Sequence, residues 1–305
     1  MLDNPHIRVA RFEEDATKIF PNTEIKGGIA IVEYDATQNF GAITEFIPDN
    51  NLQRLATHFN KDIESNLPSI IYGGRSDLKF NDAFIRQYPQ SIGDRIKAIQ
   101  RDHKDVITLS QNEEYELKSS TFEVLPYVFK EQNPSDGNDY FMLIGLISGK
   151  RFNRWIERKY MSPRYVHNNN IAKYKVAVPE SNGSGKFGEA LSTPIVLSPF
   201  ESTTPTFISI GNFNTKLEAD NLLKYIKCKL VRALLGIMKK TQHNSAPTWA
   251  YVPLQDFTPA SDIDWSQSIS AIDRQLYRKY NLSEEEIEFI ETHVKPMDTA
   301  EVGET

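Results

Sequence analysis

The chain has 305 residues with 35 Lys and Arg against 41 Asp and Glu, a formal charge of −6, and is 39% apolar and 25% charged, the composition of an ordinary globular protein. No apolar run approaches the roughly 20 residues of a membrane span, and the charged N-terminus lacks the apolar stretch of a secretory signal. The one cysteine, Cys228, excludes an internal disulfide framework and a thiolate zinc site, so the expected compartment is the cytoplasm.

In chain order, residues 9–12 read as a short strand and 13–20 as a short helix ended by Pro21. Residues 25–34 (IKGGIAIVEY) and 42–47 (AITEFI) read as a hairpin around the turn-rich 35–41, with Pro48 as its end. Forty-eight residues with so few strands cannot make a core, so this segment is expected to be the edge of a larger sheet. Residues 50–65 form an amphipathic pattern with Leu52, Leu55, Phe59 and Ile63 on one face. Between 67 and 120 short helices and loops alternate. The glycine turn from Tyr72 to Arg75 is too short for a phosphate loop and lacks its Gly-Lys-Ser/Thr ending.

Strands are expected at 140–147, 172–179, 195–197 and 207–211, and a glycine loop at 181–188. A period of two in 172–179 sets Lys173 and Lys175 on one face and Tyr174, Val176 and Val178 on the other. The clearest helix spans 215–240. It opens on a Thr215/Glu218 capping box, and Leu222, Ile226, Leu230 and Leu234 recur at helical spacing. Two short helices close the chain, the second capped by Ser283 with Glu284, Glu285 and Glu286 in its first turn.

Charge is unevenly distributed. From Lys150 to Lys240 there are 16 Lys and Arg and 6 Asp and Glu, a net of +10, so the rest of the chain carries −16. A basic stretch in an acidic frame marks a polyanion-binding face, or else a cluster of solvated cations. Catalytic signatures are sparse. The six histidines form no H-x-x-x-H pair and Gly-x-Ser-x-Gly is absent. Glu24-Ile25-Lys26 is a Glu-x-Lys of the kind that Mg²⁺-dependent nucleases use, which leaves a Mg²⁺-dependent DNA endonuclease as an alternative. A non-catalytic interaction subunit is another.

The run from Phe20 to Asp35, with its F-P-x-x-x-I-K-G-G core, resembles a stretch of the N6-adenine DNA methyltransferases of type II restriction–modification systems. Thr206 to Gly211, Thr215 to Lys240, Trp249 to Phe257, Asp262 to Trp265 and Ile272 to Tyr277 look like the end of that family's recognition domain and its tail. The family's glycine-rich cofactor loop and its Asn/Asp-Pro-Pro-Tyr/Phe tetrapeptide are absent, and Asp3-Asn4-Pro5-His6 is no substitute. The resemblance therefore implies a target-recognition portion without methyl transfer, with S-adenosylmethionine bound by a catalytic methyltransferase domain or subunit that is its partner, and double-stranded DNA as its ligand.

The implied fold class is α/β (α+β). Edge strands of a methyltransferase-type sheet (1–48) and a linker helix (49–66) lead to a mixed α/β target-recognition domain (67–255) and a helical tail (256–305). Phosphate contacts are expected from Lys150, Arg151, Arg154, Arg158, Lys159 and Arg164, with further DNA contacts from Lys173 and Lys175 on the basic strand. Asn168, Asn182, Ser184 and Lys186 in polar loops are the candidates for base readout. By resemblance, Tyr34 is the aromatic that stacks on a flipped adenine.

Overall fold

The apolar runs of the described residues pair into four separate sheets, with the first helix and the last four gathered around the largest and the helices between them packed about a second core. The computed structural model describes residues 2–297 except 14, 24, 26, 27, 44, 74, 167, 168, 182, 184, 185 and 240. In chain order the strands are β1 (Ile7–Glu13), β2 (Ile29–Tyr34), β3 (Ile71–Tyr72), β4 (Leu78–Phe80), β5 (Tyr140–Ile147), β6 (Lys150–Glu157), β7 (Met161–Pro163), β8 (Tyr174–Pro179), β9 (Ile195–Leu197), β10 (Glu201–Thr203) and β11 (Phe207–Phe213). The helices are α1 (Asn50–Thr57), α2 (Asp82–Gln87), α3 (Gln90–Ile99), α4 (Thr121–Val124), α5 (Lys216–Lys227), α6 (Lys229–Met238), α7 (Ile269–Lys279) and α8 (Glu284–His293). The class is mixed α and β. Strand pairing is antiparallel except where β10 runs parallel to β5.

The largest sheet has the order β3-β11-β8-β9. One of its faces carries Val176, Val178, Ile208 and Ile210 into a core shared with α1, α5, α6, α7 and α8. On the other, Ala177 and Phe207 meet Ile144 of the β10-β5-β6 sheet. β8 is thus covered on both sides. Within β8 the expected alternation sets Val176 and Val178 against Lys175 and Ala177, while Lys173 lies before the strand; the face that carries Lys175 is interior, because the second sheet lies over it.

The β5–β6 hairpin closes through Ser148 and Gly149, whose φ values of 49° and 77° are the left-handed pair that a tight two-residue hairpin turn requires. Gly145 on β5 lies under the Phe122 ring, and a Cβ there would come within 2.7 Å of it. That contact ties the hairpin to a second core of Leu78, Phe80, Phe84, Phe122, Leu143 and Ile156.

Three expectations differ. β2 pairs with β1 (Val9↔Val32, Phe12↔Ala30), and the described residues of 42–47 (42, 43 and 45–47) form no strand. Those residues are drawn to the main body instead. The Glu45 carboxylate accepts from Lys61 Nζ at 2.7 Å and from the Tyr251 hydroxyl, Ile47 packs on the large core, and Phe46 meets Phe12 at 5.7 Å. The helix expected over 50–65 ends at Thr57. Phe59 is still buried, but Ile63 is exposed, and the Asp62 amide donates to Ala250 O.

The helix expected over 215–240 breaks at Cys228, whose ψ of 144° is extended. The Asp273 carboxylate of α7 accepts from the Lys229 and Leu230 amides at 3.0 and 3.1 Å, so a side chain 44 residues beyond Lys229 caps α6. The predicted Thr215/Glu218 capping box is formed, and the predicted cap Ser283 closes a box of its own with Glu286.

Candidate nucleic-acid interface

β6 is the outer strand of its sheet, and its register with β5 sorts the basic side chains. Opposed pairs share a face in an antiparallel sheet. Leu146/Arg151, Ile144/Asn153 and Met142/Trp155 therefore share one face, and Ile147/Lys150, Gly145/Phe152 and Leu143/Arg154 the other. The first face, together with β9, borders an open groove of about 1130 Å³ lined by Lys150, Arg151, Asn153, Arg154, Trp155 and Thr193 among others. A neighbouring cavity of about 470 Å³ shares Met142, Trp155 and Glu201 with the groove and adds Arg158 and Phe200.

The cations differ in what holds them. Lys150 is exposed. Arg151 donates from Nη2 to Thr193 O at 2.8 Å and lies 5.3 Å over the Phe207 ring. Its half-burial pulls its pKa below the ordinary value. Arg154 donates to Asn153 O, sits 5.1 Å over Phe152, and has Nη2 3.6 Å from Glu131. Arg158 spends Nε on Tyr140 O at 3.2 Å and packs against Phe141 and Phe200, with no carboxylate partner among the described residues. Lys159 pairs with Glu157 at 2.5 Å, which raises its pKa. Lys173, half-buried, donates to Asn214 Oδ1 at 2.5 Å, and Lys186 is exposed.

Two expected DNA contacts are interior. The Arg164 side chain is 8% exposed and forks onto both oxygens of Glu116 while its Nε donates to Ser76 O. Lys175 is 0% exposed, and its Nζ donates to the carbonyls of Asn170, Ile171 and Lys173. Burial lowers Lys175 to about 8, against the attraction of Asp77, and raises Asp77 itself to about 6. Neither cation reaches a ligand, because hydrogen bonds inside the fold use its donors. Asn168, Asn182 and Ser184, and Glu24 and Lys26 of the nuclease alternative, lie outside the described residues.

Tyr34 ends β2 with 63% of its surface exposed, edge-on to His6 at 6.3 Å. Ser181, His243 and Glu180 cluster near the loop, yet both the hydroxyl and the carboxylate meet the same ring nitrogen, Nδ1, at 3.3 and 3.2 Å. A nucleophile relay needs one partner on each nitrogen, so this cluster is not one.

Sequence reasoning missed Phe200 and Glu201. Ser198-Pro199 signals a turn, but nothing marks the aromatic after it as part of a basic groove. Comparison with protein-family models, with curated proteins and with solved structures finds no match to this chain. Among the described residues no helix is long and apolar enough to cross a membrane, and no group of three or more His, Cys, Asp or Glu is placed to hold a metal ion.

Proposed function

We propose that the chain binds double-stranded DNA along the β6 groove, as the target-recognition portion of a restriction–modification adenine methyltransferase whose methyl transfer resides in another domain or subunit. The observation that carries this reading is the groove. Arg151, on the face of β6 that borders the groove, and Lys150 and Arg154, which reach its rim from the opposite face, line one concavity, and Arg158 lines the adjoining cavity, so a phosphate backbone can meet several cations along it. The absence of the cofactor loop and the catalytic tetrapeptide from the 305 residues supports recognition without catalysis.

The test is a gel shift on random duplex DNA over a range of salt. Binding should weaken steeply as salt rises, with each phosphate contact adding about 0.9 to the log–log slope. The triple variant Lys150→Ala/Arg151→Ala/Arg154→Ala should bind at least about tenfold more weakly at low salt and show a shallower slope. Wild-type affinity and slope in that variant would reject the groove as the interface.

A further inference from the structure

We propose that the cavity beside the groove, between the Asn133–Tyr140 loop and the Ser198–Glu201 turn, receives an unstacked guanine base. This rests on the DNA-binding reading for the delivery of the base, but the chemistry of the cavity stands by itself.

The turn is unusual in its residues. The Glu201 amide donates to Ser198 O at 3.1 Å, Pro199 takes the first central position and Phe200 the second, at φ 65°. Pro cannot adopt a positive φ, so this is a type II turn, whose second central position favours Gly. A bulky side chain held there is strained. The strain holds an aromatic ring 38% exposed at the mouth of the cavity, with the Arg158 guanidinium 3.9 Å from its centroid.

Arg158 spends only Nε internally and has no carboxylate partner among the described residues, so its Nη edge is available. The same cavity is lined by the acceptors Asn138, Asp139 and Glu201, with Trp155 beside them. A bare phosphate would meet two carboxylates there. Guanine matches each element. Its O6 and N7 accept from a guanidinium edge, its N1–H and N2–H₂ donate to carboxylate or carboxamide oxygens, and its ring stacks on an aromatic. Adenine presents N6–H₂ where guanine presents O6, which leaves the arginine edge poorly matched.

The experiment compares labelled oligothymidylates carrying a single guanine, a single adenine or neither, with inorganic phosphate as competitor, and duplex binding is measured in parallel. The guanine strand should bind on the order of tenfold or more tightly than the other two, with phosphate a poor competitor. Arg158→Lys and Phe200→Leu should each abolish that preference without lowering Tm appreciably. Phe200→Gly should raise Tm, by relief of strain, and still lose the preference.

Equal binding of the three strands, or a preference that survives both Arg158→Lys and Phe200→Leu, overturns the proposal. If duplex DNA binds with strong salt dependence and guanine is not preferred, the cavity assignment falls and the groove reading stands. If guanine is preferred and duplex DNA does not bind, the groove reading falls and the cavity assignment stands.

Discussion

At the scale of single residues, the same side-chain type does opposite work depending on what covers it. Lys175 and Lys150 are both cations of the basic segment, yet one is held by three carbonyls inside the fold and the other is exposed. Lys175→Ala should therefore destabilise the fold by about 3 kcal/mol, since it strands buried carbonyls and the nearby Asp77. DNA affinity of the folded variant should not change. A loss of affinity at unchanged stability would show that Lys175 touches DNA after all.

Asp77 supplies a pH test at the same scale. Burial raises its pKa from 3.8 to about 6, so the folded state holds its proton over a range where the unfolded chain has released it. Its contribution to stability is complete below the unfolded value and is lost as pH rises through about 6. Urea midpoints taken between pH 4 and 7 should fall with rising pH in the wild type relative to Asp77→Asn. A constant difference between the two proteins across that range would contradict this.

At the scale of elements, local capping and tertiary capping are separable. Thr215 and Ser283 cap their helices with residues from the same turn, and Thr215→Ala should cost about 1 kcal/mol. α6 has no side-chain cap of its own, and Asp273 supplies one from α7. Asp273→Ala removes two acceptors from a buried helix end and should cost about 2 kcal/mol or more in urea denaturation, exceeding Thr215→Ala. The Thr215/Glu218 box and the Ser283 cap were legible because each acts within four residues. The break at Cys228 was not, because its apolar spacing is compatible with one long helix and the competing hydrogen-bond acceptor lies in another element.

At the scale of the whole molecule, stability is unevenly spread. The large core draws on residues from Leu52 to Val294, so the first helix and the last two close around the same sheet. Among the described residues the β1–β2 hairpin has no third strand, and Ile31, Val32 and Tyr34 remain exposed on it. A two-stranded ribbon with little buried surface opens easily. Amides of β1 and β2 should exchange with solvent far faster than those of β8 and β11, as hydrogen exchange read by mass spectrometry would show. Equal protection would mean that the hairpin is held by contacts the monomer does not display.

The sequence by itself determined the mixed class, the positions of β5, β8, β9 and β11, the Thr215/Glu218 capping box, the Ser283 cap, and the concentration of positive charge after Lys150. These are set by short-range periodicity, turn chemistry and composition. Tertiary structure alone decided which of those charges face outward. A strand's alternation defines two faces without saying what lies over either, and here one sheet laid on another turned the Lys175 face into interior. It also decided that 45–47 tethers the hairpin rather than pairing with it, because the partners of Glu45 are 16 and 206 residues away.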